Sequence, residues 1–204
     1  FDEIQFDYIR FAVDRTMNDV VFDDGDTQGR NKTQAITEFI SYAHDELAKE
    51  GLFVSADVFG AIMRSEEDAA AVGQEYEDMA EHLDYICPMI YPSHYGPGNF
   101  GIEYPDTQPY DTILNALNGS RELLAASAKD DTPQAVVRPW LQDFTASYLE
   151  HYIRYGDEQV RQQIQAVYDA GYDQWILWDA GVSYHYGGLL TPEEAAKEDE
   201  RIAR

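Results

Sequence analysis

Asp7 and Asp57 each stand near the C-terminal end of a short alternating segment, Phe1-Asp2-Glu3-Ile4-Gln5-Phe6-Asp7-Tyr8-Ile9-Arg10-Phe11 and Leu52-Phe53-Val54-Ser55-Ala56-Asp57. Read as a strand, the first segment puts Ile4, Phe6 and Tyr8 on one face and Gln5 and Asp7 on the other; the second puts Ser55 and Asp57 together. Neighbouring parallel strands run roughly 4.8 Å apart. Two carboxyl groups at such strand ends could therefore stand about 5–5.5 Å apart, where one attacks a glycosidic carbon and the other donates a proton and takes it back. The C-terminal ends of parallel strands are also where β/α barrels carry their catalytic groups. Each residue has a plainer use. Asp7 could only pair with Arg10 or Arg138 inside a barrel, and Asp57, followed by Val58-Phe59-Gly60, could cap a turn or orient another group.

The same parity applied to the later strand-like runs brings further polar and aromatic groups to one face. These are Cys87, Met89 and Tyr91; then Arg138, Trp140 and Gln142; then Gln174, Ile176 and Trp178. Arg10 and Arg138 would hold Asp7 in its charged form, since a nearby cation favours a carboxylate. Tyr91, His94, Tyr95 and Gln142 are candidates for holding sugar hydroxyls, and the Trp178 indole offers a flat apolar face to the C–H side of a pyranose. Asp143 and Asp179 also fall at strand ends, but their parity points away from this face. Tyr184-His185-Tyr186-Gly187-Gly188 is a second aromatic loop that could line the same cleft. Asp23-Asp24-Gly25-Asp26 lacks the alternating spacing and terminal Glu of an EF-hand loop. No Cys/His cluster has zinc spacing, and the lone Cys87 reads as a small buried hydrophobe. Neither a metal nor a cofactor is expected.

The elements that must position these groups alternate. Residues 12–31 read as a polar loop. A helix follows up to Gly51, opened by a capping box of Asn31 with Gln34 and carrying Ile36, Phe39, Ile40, Ala43 and Leu47 at helical spacing. Strands are expected over 52–59, 85–91, 135–141 and 174–178, and helices over about 66–82, 110–126 and 157–170. A turn-rich loop spans 92–109, and a last helix starts at Thr191-Pro192-Glu193-Glu194. Five strand–helix units with buried-type strands imply an α/β fold with a parallel sheet under covering helices. No Gly-rich phosphate fingerprint follows any strand, which weakens a nucleotide-binding doubly wound fold. Five units are too few to close eight strands. The expectation is a single domain over 1–204, the C-terminal part of a TIM-type β/α barrel, with about three N-terminal strands supplied by a preceding segment or a second copy.

Composition bounds the partners. The chain has 204 residues and a formal net charge of -25, with 44% hydrophobic and 13% aromatic residues. That is enough apolar material for a core, and an acidic surface repels nucleic acid and anionic membranes. No apolar run approaches the roughly 20 residues of a transmembrane helix. An acidic, aromatic-rich protein suits a neutral carbohydrate.

Five blocks together resemble the bacterial "putative glycosyl hydrolase" domain family, a family of unknown function with a predicted TIM barrel. They are Phe6-Asp7-Tyr8-Ile9-Arg10-Phe11, Ser55-Ala56-Asp57-Val58-Phe59-Gly60, Pro88-Met89-Ile90-Tyr91-Pro92-Ser93-His94-Tyr95, Arg138-Pro139-Trp140-Leu141-Gln142 and Trp175-Ile176-Leu177-Trp178-Asp179. The resemblance covers most of the chain but only the later part of the family's domain. It implies a glycosidase-like barrel with Asp7 in the place of the catalytic acid on the fourth strand. The location is left open by the sequence, with secretion or the cell surface of a bacterium one expectation. In the family Arg-Phe at this point is commonly followed by Pro; here Ala12 stands instead. Chitinase-like barrels carry a Glu two residues beyond the last of their strand aspartates. The matching series here, Gln5, Asp7, Ile9, lacks it, which argues against substrate-assisted hydrolysis of N-acetyl sugars. The leading expectation is a glycoside hydrolase with Asp7 as nucleophile or base and Asp57 as proton donor. The alternatives are a non-catalytic carbohydrate-binding barrel and a metal-dependent hydrolase built on Asp7, Asp57 and His94.

Overall fold

The computed structural model describes residues 1–13, 20–130 and 132–202; residues 14–19 of the expected polar loop lie outside them. The strands are β1 (Glu3–Phe6), β2 (Phe53–Phe59), β3 (Tyr85–Ile90), β4 (Val136–Val137), β5 (Trp140–Gln142) and β6 (Ile176–Trp178). They form a parallel sheet in the order β1-β2-β3-β5-β6, with β4 also beside β3. The single strand expected over 135–141 is thus two short ones. Pro139 has no N–H for the ladder, and the break falls at Arg138-Pro139. The sheet curls into a parallel half-barrel of five strand positions, consistent with part of a TIM-type barrel.

The helices are α1 (Asp24–Thr27), α2 (Lys32–Ala48), α3 (Glu66–Val72), α4 (Tyr76–Ala80), α5 (Pro109–Ser127), α6 (Asp157–Asp169) and α7 (Pro192–Ile202). The capping box opens α2 as expected: Gln34 N donates to Asn31 Oδ1 at 2.8 Å, and Asn31 N donates to Gln34 Oε1 at 3.0 Å. α2 packs on β2, α6 on β5, and α5 against α6. Ile40, Val54, Ile86, Ile90, Leu141 and Ile164 are fully buried between these layers. Each contributes about 1.5–3 kcal/mol relative to exposure. None of the described helices is long and apolar enough to cross a membrane.

Two departures from the expected elements matter for the site. First, β1 ends at Phe6. Ile4 and Phe6 keep the outer face, with the Phe6 ring edge-on to Phe39 at 5.4 Å. Tyr8 does not join them: its φ is 54° and its side chain is exposed. A left-handed tyrosine costs on the order of 1–3 kcal/mol. Tyr8 N donating to Asp7 Oδ1 at 2.7 Å and Arg10 N donating to Tyr8 O at 2.8 Å offset it. Second, the helix expected over 66–82 is broken into α3 and α4. Gly73 takes φ 76° at the end of α3, where its N–H reaches Ala69 O at 2.8 Å. A left-handed residue there suits glycine.

The break drops the side chain of Gln74 into the interior, 1% exposed. Its Oε1 accepts from Phe59 N at 3.1 Å, and its Nε2 donates to Ile9 O and to Asp57 O, both at 3.1 Å. One amide thereby ties the chain after β1 to the C-terminal end of β2. Gln74→Ala leaves three backbone groups without partners, and each buried orphan costs about 1–3 kcal/mol. Urea unfolding should show a loss of at least about 2 kcal/mol; a change within error would mean the clamp does not hold these two ends together.

Candidate active site

The inner face of the sheet is built in layers. In the deepest, Arg138 forms an ion pair with Glu3, with Nη1 3.2 Å from Oε2 and Nη2 bonded to Oε1. The Ser55 hydroxyl donates to the same Oε1 at 2.6 Å. Burial pushes the Glu3 carboxyl up, but the bonds from Arg138 and Ser55 carry it below its ordinary value. The Arg138 guanidinium also lies 4.2 Å from the Tyr85 ring centroid. Beside this layer, burial pushes the Cys87 thiol up to about 12, so it is inert.

The next layer holds Asp57, 6% exposed. Its Oδ1 accepts from Gln5 Nε2 and from Trp140 Nε1, both at 2.6 Å. β1 and β2 are in register from Glu3↔Phe53 to Phe6↔Ala56, so Asp7 and Asp57 are the next residue of each. Burial raises the Asp57 carboxyl above its ordinary value. The bonds from Trp140 and Gln5 work against that rise, the charge on Asp7 adds to it, and the charge on Arg138 opposes it. Oδ1 is committed to two donors; Oδ2 makes no hydrogen bond to a described residue.

Above this layer opens a cleft of about 330 Å³, lined by Asp7, Tyr8, Arg10, Asp57, Phe59, Met89, Tyr91, His94, Trp140 and Trp178. Asp7 is exposed there. The Arg10 guanidinium lies 4.5 Å from the Phe59 ring centroid and 5.3 Å from that of Tyr8. Trp140 and Trp178 meet edge to face, with centroids 5.9 Å apart, and Trp178 is 43% exposed. Tyr91 and His94 make a second edge-to-face pair at 5.1 Å, and burial holds the His94 imidazole below its ordinary value. Gly60 is required beside the cleft: a Cβ there would stand 2.5 Å from the Tyr95 hydroxyl and 2.6 Å from Met89 O.

Of the residues expected at a site, the structure brings Asp7, Asp57, Arg10, Tyr91, His94 and Trp178 together on this cleft. Arg138 lies a layer below and is engaged with Glu3 rather than Asp7. Gln142 is fully buried. Its Nε2 donates to Asp106 Oδ1 at 2.9 Å and to Phe144 O at 3.0 Å, while its Oε1 accepts from Ser93 N at 3.1 Å. It therefore fastens the loops after β3 and β5. Tyr95 sits past the cleft, its ring 5.0 Å from Phe100. Asp143 is not among the residues lining the cleft and is buried against His185: its Oδ1 is 2.6 Å from His185 Nδ1 and its Oδ2 accepts from His185 N at 2.9 Å. Residues missed from sequence include Glu3, which shares the parity of Gln5 and Asp7, and Tyr8, whose turn into the cleft no periodicity signals. Among the described residues, no group of three or more His, Cys, Asp or Glu side chains could hold a metal ion.

A family model described as "Putative glycosyl hydrolase domain" matches residues 1–184. No curated protein matches the sequence. The fold is similar to that of the PgaB (BpsB) glycoside hydrolase domain from Bordetella bronchiseptica, at 12% identity and a TM-score of 0.54, over 98% of this chain and 56% of that one. It is also similar to the spore cortex-lytic enzyme SleL of Bacillus megaterium QM B1551, at 11% identity and a TM-score of 0.53, over 92% of this chain and 47% of that one. The chain thus spans about half the length of these structures.

The burial of Asp57 has a consequence in pH. Its folded proton affinity exceeds that of the unfolded chain, so its contribution to stability is whole below pH ~3.9 and is lost as pH climbs through the raised folded value. Asp57→Asn keeps Oδ1 for Gln5 and Trp140 and has no charge to bury. The unfolding free energy of the wild type relative to Asp57→Asn should therefore fall as pH rises above ~3.9 in urea titrations. A constant difference would show that Asp57 is not strained by ionisation.

Proposed function

The chain belongs to the "Putative glycosyl hydrolase domain" family, and we propose that it hydrolyses the glycosidic bonds of a polysaccharide or oligosaccharide with Asp57 as proton donor and Asp7 as nucleophile or base. The observation that carries this reading is the unequal pair of carboxyl groups on one cleft. Burial shifts Asp57 toward its protonated form, the form a general acid needs, while Asp7 is exposed just past the end of the neighbouring strand. Environments that push two carboxyls apart are how one site runs acid and base chemistry together. Oδ2 of Asp57 is the oxygen left to hand a proton to the departing sugar oxygen. Loss of that proton leaves a carboxylate already bonded to the Gln5 amide and the Trp140 indole, which stabilise the charge as it forms.

The walls suit a sugar. Trp178 offers a ring face, Trp140 meets it at 89°, and Tyr91 and His94 supply polar tips. Arg10 lines the same cleft beside Asp7. A polymeric carbohydrate substrate goes with a location outside the cell or on its surface in a bacterium.

The roles separate kinetically, in the domain with its full complement of strands. Asp7→Asn should lower kcat by about 10²–10⁴-fold while sugar binding persists. Asp57→Asn should impair substrates with a poor leaving group by a similar factor, and spare aryl glycosides whose leaving group needs no proton. Wild-type turnover in Asp7→Asn would end the assignment. Binding of glycans by a wild type that releases no product would favour the binding-protein alternative instead.

A further inference from the structure

A second cavity, of about 280 Å³, lies beside the first on the same rim, walled by the loops that follow β3 and β5. His94 lines both, so the two cavities adjoin at this residue. On the far side, the rings of Tyr104 and His151 stack with centroids 3.9 Å apart and planes 36° apart, and Glu150 stands next to them. The floor carries Asp106, 2% exposed, whose Oδ1 accepts from Gln142 Nε2 at 2.9 Å and whose Oδ2 accepts from Ile153 N at 3.3 Å. Tyr155 also donates to Asp106 O at 3.1 Å. Through Gln142 the same network reaches Ser93 N, next to His94. The cavity is therefore fixed by buried hydrogen bonds between two loops, and no step of the proposed hydrolysis uses it.

We propose that this cavity is a second saccharide subsite, which takes sugar units of a chain that passes over His94 from the cleft holding Asp7 and Asp57. Its chemistry resembles that of the first: aromatic rings for the apolar side of a sugar, with carboxylate and imidazole groups around them for hydroxyls. Two cavities that share a lining residue are near enough to take consecutive parts of a single extended ligand. The protein would thus act on an oligomer or polymer in preference to a disaccharide. This inference rests on the glycosidase reading and adds substrate length to it.

The test is calorimetric titration of the domain with neutral cello-, laminari- and chito-oligosaccharides of two to six units, for the wild type, Tyr104→Ala and His151→Ala. His151 is half exposed, so its variant preserves the fold even if Tyr104→Ala does not. For a ladder that binds, wild-type affinity should rise with length. The loss of the ring should remove about tenfold of that rise in either folded variant. A wild type with no length dependence overturns the second subsite. So does a rise that both variants keep, with the cleft reading left intact. Failure of every ladder to bind overturns this inference, and if Asp7→Asn also keeps wild-type turnover the glycosidase reading falls with it.

Discussion

Everything near the cleft depends on one buried carboxyl group reaching donors on strands either side of it. Asp57 on β2 takes one hydrogen bond from Gln5 on β1 and one from Trp140 on β5. In the sheet order, β5 is two places from β2, and Arg138, just before β5, reaches Glu3 on β1 across three. In a flat sheet those spans would be roughly 10 and 14 Å. Direct contacts over such distances require the inner face to be concave. The curl that makes a partial barrel and the pairing that holds the acid are thus one constraint. The Glu3–Arg138 layer draws the two sides together below, and the Asp57 layer does the same above.

The loops complete what the strands begin, by a common device: a buried side-chain amide or carboxylate binds the backbone of a neighbouring segment. Gln74 joins the turn after β1 to β2, Gln142 joins the loops after β3 and β5, and Asp143 fixes the loop around His185. Each is almost fully buried, so each bond forms in a medium where an unmade partner is costly. That gives the rim a defined shape despite its short strands. It also explains why strand-end positions that look able to touch a ligand are spent on structure, Gln142 foremost.

Strand parity made the inner face legible from sequence, because alternation is a hard geometric rule. Asp7, Asp57, Tyr91 and Trp178 were placed on one cleft by that rule alone. Arg138 obeyed the same rule and still sits elsewhere, since parity gives the face and not the depth. Depth is set by register, and the register puts Arg138 two residues below Trp140. The broken helix at Gly73 and the split strand at Pro139 each carried a local signal, a glycine or a proline, that was overridden by the surrounding apolar pattern. Tyr8 carried none. Its left-handed backbone is held by Asp7 and Arg10, neighbours whose effect appears only once β1 has ended. The Asp106–Gln142–Ser93 network joins residues far apart in the chain, and nothing periodic announces it.

The charge of the chain bears on which carbohydrate the proposed site would accept. A net charge of -25 spread over the surface is screened beyond about 8 Å at physiological salt. Its long-range part therefore weakens an approaching polyanion without setting the protonation of the site. Inside the cleft the balance is local. Asp7 adds to the rise in Asp57 that burial begins, and a substrate with its own carboxylates or sulfates would set a further negative charge beside Asp7, with Arg10 as the cation of the cleft lining. A neutral chain brings no such charge, and it can exchange water for the Trp178 face at no electrostatic cost. The unequal carboxyl pair would thus serve as the acid and base of the proposed reaction, with the charge of Asp7 set against that of Arg10 inside one cleft.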